Sequence, residues 1–137
     1  MFKFRLQSVL QYRQTLEDQA KGRYLAAKAA CIHAEAEIAE IDERRRSLLL
    51  ERLLDLTGHI EMQRRVEMLD DYQRQAFAAL SVLRDEAAAA EAEWIERKKE
   101  LEIMERLRES AHQAWLYDEN RKEQAALDEW TVLRRSA

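Results

Sequence analysis

From Leu6 to Leu56 apolar residues return every three or four positions, through Val9, Leu16, Ala20, Tyr24, Ala27, Cys31, Ala34, Ile38, Ile41 and Leu48. That is the spacing of one face of an α-helix. It slips between Leu16 and Tyr24, where two steps of four follow each other, and Arg13 and Arg45 fall in seam positions, so a local stutter is expected there. A second stripe is more regular: Met62, Val66, Leu69, Gln73, Ala76, Leu80, Leu83, Ala87, Ala90, Trp94, Arg97, Leu101, Met104, Arg108, Ala111 and Trp115 alternate fours and threes. A 3.5-residue period held for this long keeps one face turned toward one partner helix, the pattern of a left-handed coiled coil.

Between the stripes lies Asp55-Leu56-Thr57-Gly58-His59-Ile60. Gly58 suits the left-handed conformation that ends a helix, and Thr57 offers a hydroxyl to exposed amides. A link this short forces the second helix back along the first. The chain is therefore expected to be all-α, two long helices forming an antiparallel coiled-coil hairpin: helix 1 over about 4–56, a turn at about 57–59 and helix 2 over about 60–134, in one domain covering 1–137. Leu48 to Leu56 should face Met62 to Leu69, and Leu6 and Val9 should fall near Ala111 and Trp115. The competing reading breaks the chain at Gly22 into a three-helix bundle, but an interior glycine costs a helix only about 1 kcal/mol against alanine. Past Trp115 the seam positions read Asp118, Lys122, Ala125, Glu129 and Val132. The second helix is thus expected to outrun its partner after about residue 115, leaving up to about 30 Å of single helix beyond a paired shaft of about 75 Å.

Composition narrows the picture. The chain has 36% charged residues, no proline and two glycines, which suits thin seams better than a thick core. With only Gly22 and Gly58, a glycine-rich phosphate loop or dinucleotide fingerprint is excluded. Cys31 has no second cysteine to pair with and reads as a small packing residue in a reducing compartment. Cys31 and His33 point about 200° apart around a helix, so they form no nucleophile–base pair. Glu109 and His112 lie one turn apart, as in helical di-metal sites, but a working site needs a second such pair and two more inward glutamates; they read as a solvated pair. The chain offers no apolar run long enough for a signal sequence or a membrane span. Net charge is −4 with both signs mixed, and the runs Arg44-Arg45-Arg46 and Arg97-Lys98-Lys99 are flanked by acids, which argues against nucleic acid. No enzyme activity, cofactor, metal or small-molecule ligand is expected; protein partners are. Tyr72 and Phe77 near the turn, and Tyr117 and Trp130 in the unpaired end, fall away from the seam as candidate docking points.

The opening Phe4-Arg5-Leu6-Gln7-Ser8-Val9-Leu10-Gln11-Tyr12-Arg13 resembles the N-terminus of the FliJ family of flagellar type III export proteins. So does the C-terminal part, from Glu96-Arg97-Lys98-Lys99-Glu100-Leu101-Glu102 through Leu107 to Arg121-Lys122-Glu123-Gln124-Ala125-Ala126-Leu127-Asp128-Glu129. The resemblance implies a non-enzymatic, cytoplasmic, stalk-like coiled coil peripheral to the inner-membrane export apparatus. Such a stalk inserts into the hexameric export ATPase, promotes its assembly and activity, contacts the membrane export gate and handles export chaperones. Carried over, Arg5, Leu6, Val9, Arg13, Arg121, Gln124, Asp128 and Glu129 would face the ATPase, and Leu69, Tyr72 and Phe77 the gate. Alone, the chain is expected to be monomeric. The alternatives are the stalk of a virulence-type secretion system and a dimeric coiled-coil scaffold.

Overall fold

The computed structural model describes residues 1–54 and 58–136, with the backbone alone at 53 and 54. It is all-α: α1 spans Gln7–Leu54 and α2 spans His59–Ser136, packed against each other as a helical hairpin. By contacts the chain divides into two compact units, Gln19–Trp94 and Met1–Asp18 with Ile95–Ala137. Within each, a stretch of α1 pairs with an antiparallel stretch of α2.

Burial along α1 follows an unbroken alternation of fours and threes: Leu6, Leu10, Arg13, Glu17, Ala20, Tyr24, Ala27, Cys31, Ala34, Ile38, Ile41, Arg45 and Leu48 are all buried or half-buried. Leu16 is half-buried as well, so it and Glu17 both line the place where the stutter is expected. Leu10 is buried while Val9 is 37% exposed, and Glu17 holds the seam position between Arg13 and Ala20. A charged side chain keeps the period by covering the seam with its methylene stem. α2 follows its predicted stripe from Met62 to Trp115, with Arg108 exposed. The most deeply buried side chains are Ala20 and Leu80, at 1% and 2% exposure; both lie in the Gln19–Trp94 unit, where Tyr24 and Trp94 also stack at 5.4 Å.

α1 runs through Gly22 without a break, which removes the three-helix alternative. Gly58 has φ +83° and sits immediately before α2, where its carbonyl accepts the Met62 N–H at 2.9 Å. Its described role is thus to start the second helix. The contributions expected of Asp55, Leu56 and Thr57 lie outside the described residues. α1 begins at Gln7, later than the expected residue 4, with Gln7 N–H donating to the Phe4 carbonyl at 3.1 Å.

The two glycines should respond oppositely to alanine. Gly22 has open space around its would-be Cβ and lies in a helix interior, so Gly22→Ala should stabilise the chain by about 0.5–1 kcal/mol. Gly58→Ala imposes a side chain on a left-handed residue and should destabilise it by about 1 kcal/mol. Urea denaturation followed by circular dichroism reads both.

Candidate partner-docking surfaces

An apolar seam alone would tolerate sliding by whole heptads; charged side chains in and beside it remove that freedom. In the Gln19–Trp94 unit Arg45 reaches across to Asp70, Nε to Oδ1 at 3.2 Å, and its Nη1 donates to Gln73 Oε1 at 3.5 Å. The Nε is buried and has no aligned hydrogen bond, so Asp70 serves it as a counter-charge. Arg23 pairs with Glu93 at 2.9 Å and Arg84 with Glu35 at 3.2 Å. In the other unit Glu100 is shared by Arg13 of α1 and by Arg97, one turn back on α2 at 3.4 Å. The basic runs are thus divided between tasks: Arg45 and Arg97 serve the seam, while Arg46 pairs locally with Asp42 at 2.9 Å and Lys99 with Glu96 at 3.6 Å.

Near the turn, Leu48, Met68 and Leu69 floor a groove of about 660 Å³ whose rim is charged by Glu40, Glu43, Arg44 and Arg65. The three residues expected on the gate side stand unequally to it. Leu69 is half-buried in its floor, and Tyr72, one turn on from Met68, is half-exposed beside it. Phe77 is equally exposed, but five residues turn a helix by about 140°, so it does not share a face with Tyr72.

At the start of the chain the structure brings together a cluster that periodicity does not reveal. The non-helical segment before α1 lays Phe2 against α2, its ring 4.9 Å from His112 and 5.9 Å from Trp115, while His112 and Trp115 stack on each other at 6.1 Å. The Arg108 guanidinium lies 5.8 Å from the Phe2 ring. Phe2, which no helical period points to, therefore reaches Trp115. Here the covered face of α2 widens, with His112, Leu116 and Glu119 half-buried beside Ala111 and Trp115. His112 is turned to these rings, and Glu109 accepts from Gln113 at 2.9 Å. No group of three or more histidine, cysteine or carboxylate side chains converges as a metal site among the described residues. No described helix is long and apolar enough to cross a membrane.

From Asn120 to Ser136 every residue of α2 is exposed, so pairing ends after Glu119, about one turn later than Trp115. The residues assigned to the ATPase side accordingly separate. Leu6 is half-buried and Arg13 is held by Glu100; Arg5 and Val9 are exposed on the paired part. Arg121, Gln124, Asp128 and Glu129 stand on the bare helix, where Gln124 donates to Asp128 at 3.2 Å. The bare helix also carries Leu127, Trp130, Val132 and Leu133 exposed. Of these only Trp130 stands out by its aromatic character; the three aliphatics emerge from the helical projection.

Against known proteins, a family model described as flagellar FliJ protein matches residues 2–136. No curated protein and no solved structure matches significantly.

The cross-helix pairs should outweigh the pairs within one helix. Double-mutant cycles on Arg13 with Glu100 and on Arg45 with Asp70 should each give a coupling of about 0.5–1 kcal/mol. The local Arg65–Glu61 pair, at 3.1 Å on an exposed face, should give about 0.3 kcal/mol. Denaturation of the single and double alanine variants measures the difference.

Proposed function

The chain belongs to the flagellar FliJ family, a family of non-enzymatic components of the flagellar export apparatus, and from that premise we propose that it is the cytoplasmic stalk of the export ATPase. In this reading it inserts into the hexameric ring, promotes ring assembly and ATP hydrolysis, and links the ring to the membrane export gate and to export chaperones. The observation that carries it is the family match over residues 2–136, essentially the whole chain. The geometry is of the right kind. A protein that meets several subunits of a ring in turn needs charge around its circumference and little depth, and a seam-only core supplies both.

The ATPase side is the end that holds Arg5, Leu6, Val9 and Arg13 together with Arg121, Gln124, Asp128 and Glu129. Leu6 and Arg13 act there chiefly by holding the paired part in shape, since both are engaged within the chain. The exposed charges of the bare helix meet the ring. On the gate side Leu69 and Tyr72 act together at the groove, and Phe77 presents a separate face.

Addition of the protein to the matching export ATPase should raise ATP hydrolysis, and the gain should shrink as salt is raised from about 50 to 500 mM, because exposed charge contacts are screened over a few ångströms at high ionic strength. Ring assembly and hydrolysis that are both indifferent to the protein would overturn the proposal. Truncation after Asn120 removes the exposed residues 121–136. It should leave the helical hairpin and its denaturation midpoint nearly unchanged while abolishing the stimulation.

A further inference from the structure

The bare part of α2 carries an organised face of its own. One to two residues on from the seam positions that continue the α2 stripe, a second stripe runs through Asn120, Glu123, Leu127, Trp130 and Arg134 at steps of three, four, three and four. Ala126 and Leu133 border it on one side. Leu127 and Trp130 are 59% and 58% exposed, and the Arg134 guanidinium lies 5.2 Å from the Trp130 ring. This stripe has the period of a coiled-coil seam but nothing packed on it within the chain.

The charges on the stripe indicate what fits it. In a parallel pair of these helices like positions face each other, so Glu123 would meet Glu123 and Arg134 would meet Arg134, both repulsive. In an antiparallel pair the two sets of seam positions alternate across the contact. The setting that places Trp130 of each copy against Leu127 of the other also places Glu123 of each against Arg134 of the other. Two apolar layers are then flanked by two ion-paired layers, and Ala126 and Leu133 of each copy close one side. The half-buried turns of the two copies, which end at Glu119, do not overlap in this setting.

We propose that the exposed face over residues 123–134 pairs with the same face of a second copy of this chain, as a two-fold antiparallel helix pair. The sequence is self-complementary in one direction only, which is the requirement of an isologous interface. About a dozen residues from each copy bury well under the roughly 1,200 Å² of the smallest stable interfaces, so the pair is weak, with a dissociation constant on the order of 10⁻⁴ M. The expectation of a monomer rests on the seams between α1 and α2 and takes no account of this stripe. Pairing covers the aromatic face when the protein is concentrated and gives it up on dilution or to a tighter partner.

Sedimentation equilibrium of the full chain at low salt, from about 10 µM to 1 mM, should show mass rising from the 16.2 kDa monomer toward twice that value. Glu123→Arg and Arg134→Glu each replace two attractions by two repulsions and should weaken association roughly tenfold. An equimolar mixture of the two variants restores opposite charges at both layers and should associate at least as tightly as the unaltered chain. All the altered residues are exposed, so circular dichroism should be the same for every variant. A mass that stays monomeric over the whole range overturns the proposal, as does a dimer insensitive to both substitutions or a mixture no tighter than its components.

Discussion

Over the paired part of this protein each helix has one main stripe, one or two side chains wide, that leaves water, and the rest of the structure follows from that. A backbone in helix satisfies its own hydrogen bonds, so the only free energy to be gained beyond it is along the stripe. One partner helix is enough to cover it. The buried set is accordingly sparse, spaced by heptads and rich in alanine, and the few large residues within it, such as Leu10, Leu80 and Met104, stand far apart along the chain.

A stripe so uniform has little power to select its own alignment. The charged residues that interrupt it supply that selection: Arg45 facing Asp70 and Gln73, and Arg13 facing the Glu100 that Arg97 also holds. Their net contribution to stability is small, because most of these side chains remain about one-third exposed. Their contribution to specificity is larger, since a shift by one heptad would take the Asp70 counter-charge away from the buried Arg45 Nε. The same division recurs in the groove near the turn, where Leu48, Met68 and Leu69 supply apolar area and Glu40, Glu43, Arg44 and Arg65 supply charge.

The hairpin and the whole of the α2 stripe were legible in the sequence because nearly every seam position there is apolar or small and the 3.5-residue period is sustained. The α1 stripe was less so. Val9 and Leu10 are adjacent and equally apolar, and Glu17 is charged, so a search for hydrophobic residues selects Val9 where Leu10 is the buried one and passes over the half-buried Glu17. Phe2 was invisible for another reason: it packs from a segment without helical period, and no spacing rule connects it to His112 and Trp115. Of the docking residues, exposure was foreseeable for Tyr72, Phe77 and Trp130, but which neighbours share a face depends on where pairing stops and on which helix covers what.

The order of contacts along the hairpin also sets how the chain closes. Arg45 and Gln73 are separated by 28 residues, Arg13 and Glu100 by 87, and Phe2 and Trp115 lie at the far limit of the series. Loop-closure entropy grows with separation, and each pair formed shortens the loop left for the next. Folding therefore zips from Gly58 outward, and the ring of Phe2 settles between Arg108, His112 and Trp115 as the last tooth of the zipper. It is also the first to part, which makes the aromatic clasp at the start of the chain the place where thermal opening of the molecule begins.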